Sequence, residues 1–144
     1  VREYLGKEIF EDTKKEKEPQ VGVITGLAYT EFGGTTVPAD IYVFWVGSND
    51  FYDSTDNIRS VIEEIDSFMT GHDITKYLVI GTTDRHDMDP HAYVGINKQF
   101  ADRYGDNYLD IMQYIEYCYD EVHLTEDSYK AIAEAVYDKL KELY

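Results

Sequence analysis

The longest apolar run in the chain is Ile41–Val46 (IYVFWV), a continuous stretch of β-branched and aromatic residues. Such a run marks a strand buried on both faces. Two shorter runs read the same way: Val21–Thr25, and Tyr77–Ile80 ending at Gly81. Residues 107–111 (NYLDI) predict a further short strand. Between these runs the period changes. Ile58, Val61, Ile62, Ile65, Phe68 and Met69 fall on one stripe of a helix. Ser54 or Thr55 can cap its start, and Gly71 is placed to close it. Residues 91–104 predict a helix ending at Gly105, with Pro90 suited to its first turn. Thr125 caps a last helix, whose apolar face is Ile132, Ala135, Val136, Leu140 and Leu143. Glu126 and Asp127 sit in its first turn, where carboxylates complement the helix dipole. Residues 114–120 fit neither period.

After residue 40 the order is strand, helix, strand, helix, strand, helix. That alternation predicts right-handed βαβ units, a parallel sheet and helices on both faces, an α/β fold. Sites in such sheets lie at the carboxyl ends of the strands. Three segments belong there: Gly47–Asp50, Thr82–Pro90 and the residues before the last helix. With 144 residues the chain suits one domain. Residues 1–20 are charged toward Pro19 and predict an exposed arm. Residues 21–144 then form the domain, with 21–40 supplying a strand.

Charge narrows the partners. Thirteen Lys and Arg stand against 29 Asp and Glu, a formal charge of −16. Phosphate binding needs clustered cations, so nucleic acid is excluded, and an anionic membrane surface is disfavoured. No apolar run approaches the length of a membrane span. The balance favours a soluble, self-repelling protein with a small, neutral substrate; a homodimer stays open. The single cysteine, Cys118, excludes an intramolecular disulfide and a cysteine-based zinc site. It reads as a small core residue and leaves the compartment open. Val1-Arg2-Glu3-Tyr4 has neither an initiator Met nor an apolar leader, so the chain reads as mature, trimmed or a fragment.

Two short constellations can carry chemistry. In Gly47-Ser48-Asn49-Asp50 the Asn49 amide can donate to a developing oxyanion, and Gly47 lets a substrate approach the backbone. The same four residues also make an ordinary turn. In Asp120-x-x-His123 the carboxylate can reach Nδ1 within one tight turn, leaving Nε2 as a general base. A solvated Asp beside a surface His accounts for the spacing equally. His86 and His91, with Asp84, Asp87 and Asp89, have the donor types of a zinc or manganese site. They read here as a polar loop, and no metal is expected. His72 reads as a surface turn residue. Phe51, Tyr52 and Tyr119 are available as an aromatic platform.

Taken together, the strand IYVFWVGSND, the strand KYLVIGTT, NYLDI and DEVHLTEDSYKAIAEAVYDKL resemble the SGNH (GDSL-like) hydrolases over about residues 41–144. That resemblance implies a truncated, flavodoxin-like three-layer α/β/α sandwich. It implies ester or O-acyl hydrolysis on a small molecule or glycan without metal or cofactor. Asn49 and Gly47 would serve the oxyanion, Asp120 and His123 would complete a Ser-His-Asp triad, and Ser48, Asp50 and Phe51 would line the substrate. The family's Gly-Asp-Ser block is missing. Leu27 and Ala28 stand where its Asp and Ser belong, so weak or no activity is expected. A non-catalytic composite or binding module on this scaffold is the alternative.

A second resemblance covers the other end. Tyr4-Leu5-Gly6, Phe10, Lys15-x-Lys17-Glu18-Pro19-Gln20 and the core VGVITGLAYTEFGG look like the start of the Lon peptidase domain, over about residues 3–38. The Ser and Lys of the Lon dyad lie far downstream in that family, and nothing here matches their motif. This resemblance therefore implies no peptidase activity of its own. A third reading follows: a Lon-related piece with an interaction role, in which loss of residues 1–20 changes association but not folding.

Overall fold

The computed structural model describes residues 19–25, 38–46, 58–83, 92–120 and 122–144. The apolar runs become four short strands: β1 (Val21–Ile24), β2 (Ile41–Phe44), β3 (Tyr77–Ile80) and β4 (Tyr108–Leu109). They form one sheet in the order β1-β2-β3-β4, with every neighbouring pair parallel. Among the described residues three helices accompany it: α1 (Ile58–Gly71), α2 (Ala92–Tyr104) and α3 (Glu126–Leu143). The α/β class and the parallel sheet are as the alternation of elements predicts.

Alternate residues of each strand enter different cores, as the period of two requires. Tyr42, Phe44, Val46 and Val79 pack with Val61, Ile65 and Phe68 of α1 and with Ile96, Phe100 and Tyr104 of α2. Ile41, Val43, Leu78 and Ile80 pack on the opposite side with Ile132, Ala133, Val136 and Leu140 of α3. Helices therefore cover both faces of the sheet. Phe44 and Phe100 are wholly buried. Burying a side chain of that size stabilises by about 2–3 kcal/mol. Phe68 meets Phe44 edge to face at 5.7 Å, which fixes α1 against β2.

Two local outcomes differ from the sequence expectation, and a third concerns a segment that fits neither period. The left-handed residue after α1 is Asp73 (φ 52°), two positions beyond Gly71. There Ile74 N donates to Met69 O (2.9 Å) and Asp73 N to Thr70 O (3.4 Å), the paired bonds of a Schellman ending. Asp tolerates this conformation because its short polar side chain suits it. Next, β4 is shorter than residues 107–111. Asn107 belongs to a 3-10 turn over Gly105–Asn107, and Asp110 Oδ1 accepts from Met112 N at the head of another over Met112–Tyr114. Local side-chain and turn bonds thus end the strand on both sides. Last, residues 116–120 and 122–125 pair as a narrow hairpin. It is marked by an antiparallel bridge Tyr117–Leu124, Cys118 N to His123 O (2.7 Å) and Thr125 N to Glu116 O (2.9 Å). Among the described residues no helix is long and apolar enough to cross a membrane.

Candidate functional site

The hairpin before α3 holds the pair that the spacing singled out. Asp120 lies in its turn and accepts three bonds from within it. Oδ1 takes Val122 N (3.0 Å) and His123 N (2.9 Å), and Oδ2 lies 2.5 Å from His123 Nδ1. The bond from the His123 ring, then those from the His123 and Val122 amides, lower the Asp120 carboxyl to about 2. With Nδ1 occupied, Nε2 is the ring nitrogen left for a proton or a second partner. The His123 side chain is 74% exposed, so solvent screens the pair and it adds little to stability.

A buried hydroxyl anchors the hairpin to the helix. Ser128, 3% exposed in the first turn of α3, accepts from Glu116 N (2.6 Å) and donates to Glu116 O (3.2 Å). Its own amide donates to Thr125 Oγ1 (3.2 Å), the helix cap expected from the sequence. The Ser128 hydroxyl is thus engaged with backbone on both sides. Cys118 is half-buried, and its thiol donates to Leu124 O (3.3 Å). It is a packed group of the hairpin rather than a fully buried core residue.

The carboxyl end of β3, where the sequence places the Thr82–Pro90 segment, is a second polar point, and its pairing with Asn97 of α2 lies outside the sequence expectation. Thr82 and Thr83 are buried there. The Asn97 side chain from α2 pairs with Thr82 as a strand would: Thr82 N donates to Oδ1 (2.8 Å) and Nδ2 donates to Thr82 O (3.1 Å). A Cβ at Gly81 would lie 2.7 Å from the Tyr108 hydroxyl and 3.0 Å from Asn97 Oδ1, so any larger residue here must displace one of these side-chain ends. Burial, with the Asp110 charge adding to it, pushes the Tyr108 hydroxyl up to about 12. One available signal was an Asn, a weak helix former, beside the apolar pair Ile96 and Phe100.

At the opposite end of β3, Arg103 donates to Asp66 Oδ2 through Nε (3.0 Å) and Nη2 (2.7 Å), and the Tyr104 hydroxyl donates to Asp66 Oδ1 (3.2 Å). Burial first, then the Asp66 charge, raises the Tyr104 hydroxyl far above its ordinary range. His72 is exposed in the turn after α1, as expected. Of the sequence-predicted site residues, the structure brings together Asp120 and His123. Gly47, Ser48, Asn49, Asp50, Phe51 and Ala28 lie outside the described residues, as do the 1–18 arm and the loop with His86 and His91.

With this geometry in place, the chain compares with known proteins as follows. A family model described as the Lon protease (S16) C-terminal proteolytic domain matches residues 1–88. The Lon protease of Mycoplasma mycoides subsp. mycoides SC is 59% identical over 44 residues, 31% of this chain and 6% of that protein. The Lon protease of Clostridioides difficile is 34% identical over 90 residues, 62% of this chain and 10% of that protein. That of Malacoplasma penetrans is 32% identical over 96 residues, 65% of this chain and 12% of that protein. The chain thus spans a small part of the length of these relatives. One crystal structure superposes with a TM-score of 0.62 at 19% identity, covering 82% of this chain and 66% of that one. At that identity the likeness concerns the fold alone.

These matches overturn the SGNH resemblance and the ester hydrolysis it implied. The Lon match includes Ala28 and the Gly47–Asp50 block, which the esterase reading had taken for a nucleophile position and an oxyanion site. The physical reason is that both esterase motifs are only four residues long, and Gly, Ser, Asn and Asp recur in ordinary turns. Asp120 accepts two amides of its own turn, so the Asp-x-x-His spacing has a local cause that needs no family behind it. Asp120 and His123 themselves lie beyond the matched span.

Proposed function

This chain belongs to the family of the Lon protease (S16) C-terminal proteolytic domain, and on that premise we propose that it works as a Lon-related interaction segment. It joins a Lon-type partner. The observation that carries this reading is the matched span. It takes in β1, β2, α1 and β3. Elements shared with a proteolytic domain of this family support surfaces in common with it, through which the chain meets a Lon-type partner. The commitment of the buried Ser128 hydroxyl to Glu116 supports a non-catalytic role for that serine. The charge of −16 supports a protein partner over nucleic acid or an anionic membrane. The parallel order β1-β2-β3-β4, with helices packed on both faces, supports a flavodoxin-like three-layer arrangement as the scaffold.

The test compares the full chain with a variant lacking residues 1–18, which precede β1. Binding to a purified Lon protease is measured by biolayer interferometry, self-association by light scattering, and folding by circular dichroism. The deletion is expected to weaken binding while leaving the spectrum and melting temperature unchanged. Equal binding by both forms, or association of the chain only with itself, overturns the proposal. So does turnover of a fluorogenic peptide together with labelling by a serine-directed fluorophosphonate.

A second reading rests on the 2.5 Å contact between Asp120 Oδ2 and His123 Nδ1. We propose that this pair is a proton acceptor at Nε2, with Asp120 holding the ring. Any slow amide hydrolysis by the chain is then expected to vanish in His123→Ala. Turnover that survives this change removes the pair from the chemistry. No role is proposed for Gly47 to Phe51.

A further inference from the structure

We draw no further inference here: the strongest candidate, the cleft of about 370 Å³ between the end of α1, the start of β3 and Arg103, carries nothing because its part-buried carboxylate, Asp66, is already paired with Arg103 and Tyr104 and nothing in the structure shows what would fill it.

Discussion

Replacing Ser128 with alanine tests the claim that one hydroxyl ties the hairpin to α3. The change removes two bonds to Glu116, at 2.6 and 3.2 Å, from a side chain that is 3% exposed. Leaving a backbone donor without its partner costs about 1–3 kcal/mol when buried. The Glu116 amide is only part-buried, and alanine regains about 0.5 kcal/mol of helix propensity. The net loss is therefore about 1–2 kcal/mol. At ~2.1 cal/mol/K per residue, the unfolding entropy of 144 residues is about 0.3 kcal/mol/K. The melting temperature of Ser128→Ala should then fall by about 3–7 °C. Calorimetry reads that shift, and amide exchange should speed at Glu116, Cys118 and Thr125 ahead of the strands. A fall under about 1 °C with unchanged exchange at Glu116 would refute the anchoring role, since even a single exposed bond of this kind is worth a few tenths of a kcal/mol.

Other outcomes follow from the same geometry. Asn97→Ala removes both bonds to Thr82 and should lower stability in urea by about 1–2 kcal/mol, with faster exchange of the Thr82 amide; unaltered protection at Thr82 contradicts the strand-like pairing. Tyr144→Phe takes an acceptor from Tyr77 N (2.9 Å) and Asn107 Nδ2 (3.0 Å) and a donor from Tyr77 O (3.1 Å). These bonds are exposed, so a loss near 1 kcal/mol is expected, and a neutral or stabilising effect in thermal melts counts against a stabilising role for them. Asp120 titrates below the ordinary 3.8, so its contribution is present above that value and is lost as pH falls toward about 2. Amide shifts of Val122 and His123 should move with a midpoint near 2 in an NMR titration; a midpoint near 4 means the turn does not hold the carboxylate.

Much of the fold can be read from residue patterns because strands and helices impose different periods. The stripe of Val61, Ile65 and Phe68 buries itself as its spacing demands, and Thr125 caps α3 as its position before an apolar-faced helix demands. What escaped the pattern was decided by side chains meeting across the fold. Asn97 looks like an ordinary polar helix residue until α2 is laid beside the end of β3. Ser128 looks like a helix-start hydroxyl until Glu116 folds back onto it. Asp73, not Gly71, takes the left-handed turn because the helix runs through the glycine before ending. The Asp120–His123 contact was legible because both partners sit in one turn. Its family was not, since a turn of four residues recurs in unrelated chains.

β3 has a neighbour on each side, and those neighbours come from opposite sides of residue 88: β2 within the Lon-matched span, β4 beyond it. The same division runs through the interior. Phe44 and Val79 share one cluster with Phe100, and Val43 and Leu78 share the other with Val136. The span matched by the family model is thus not a folding unit by itself. Cut at that point, each half would present a greasy face that only the other half can shield. The span that the family model matches and the unit that folds end at different places.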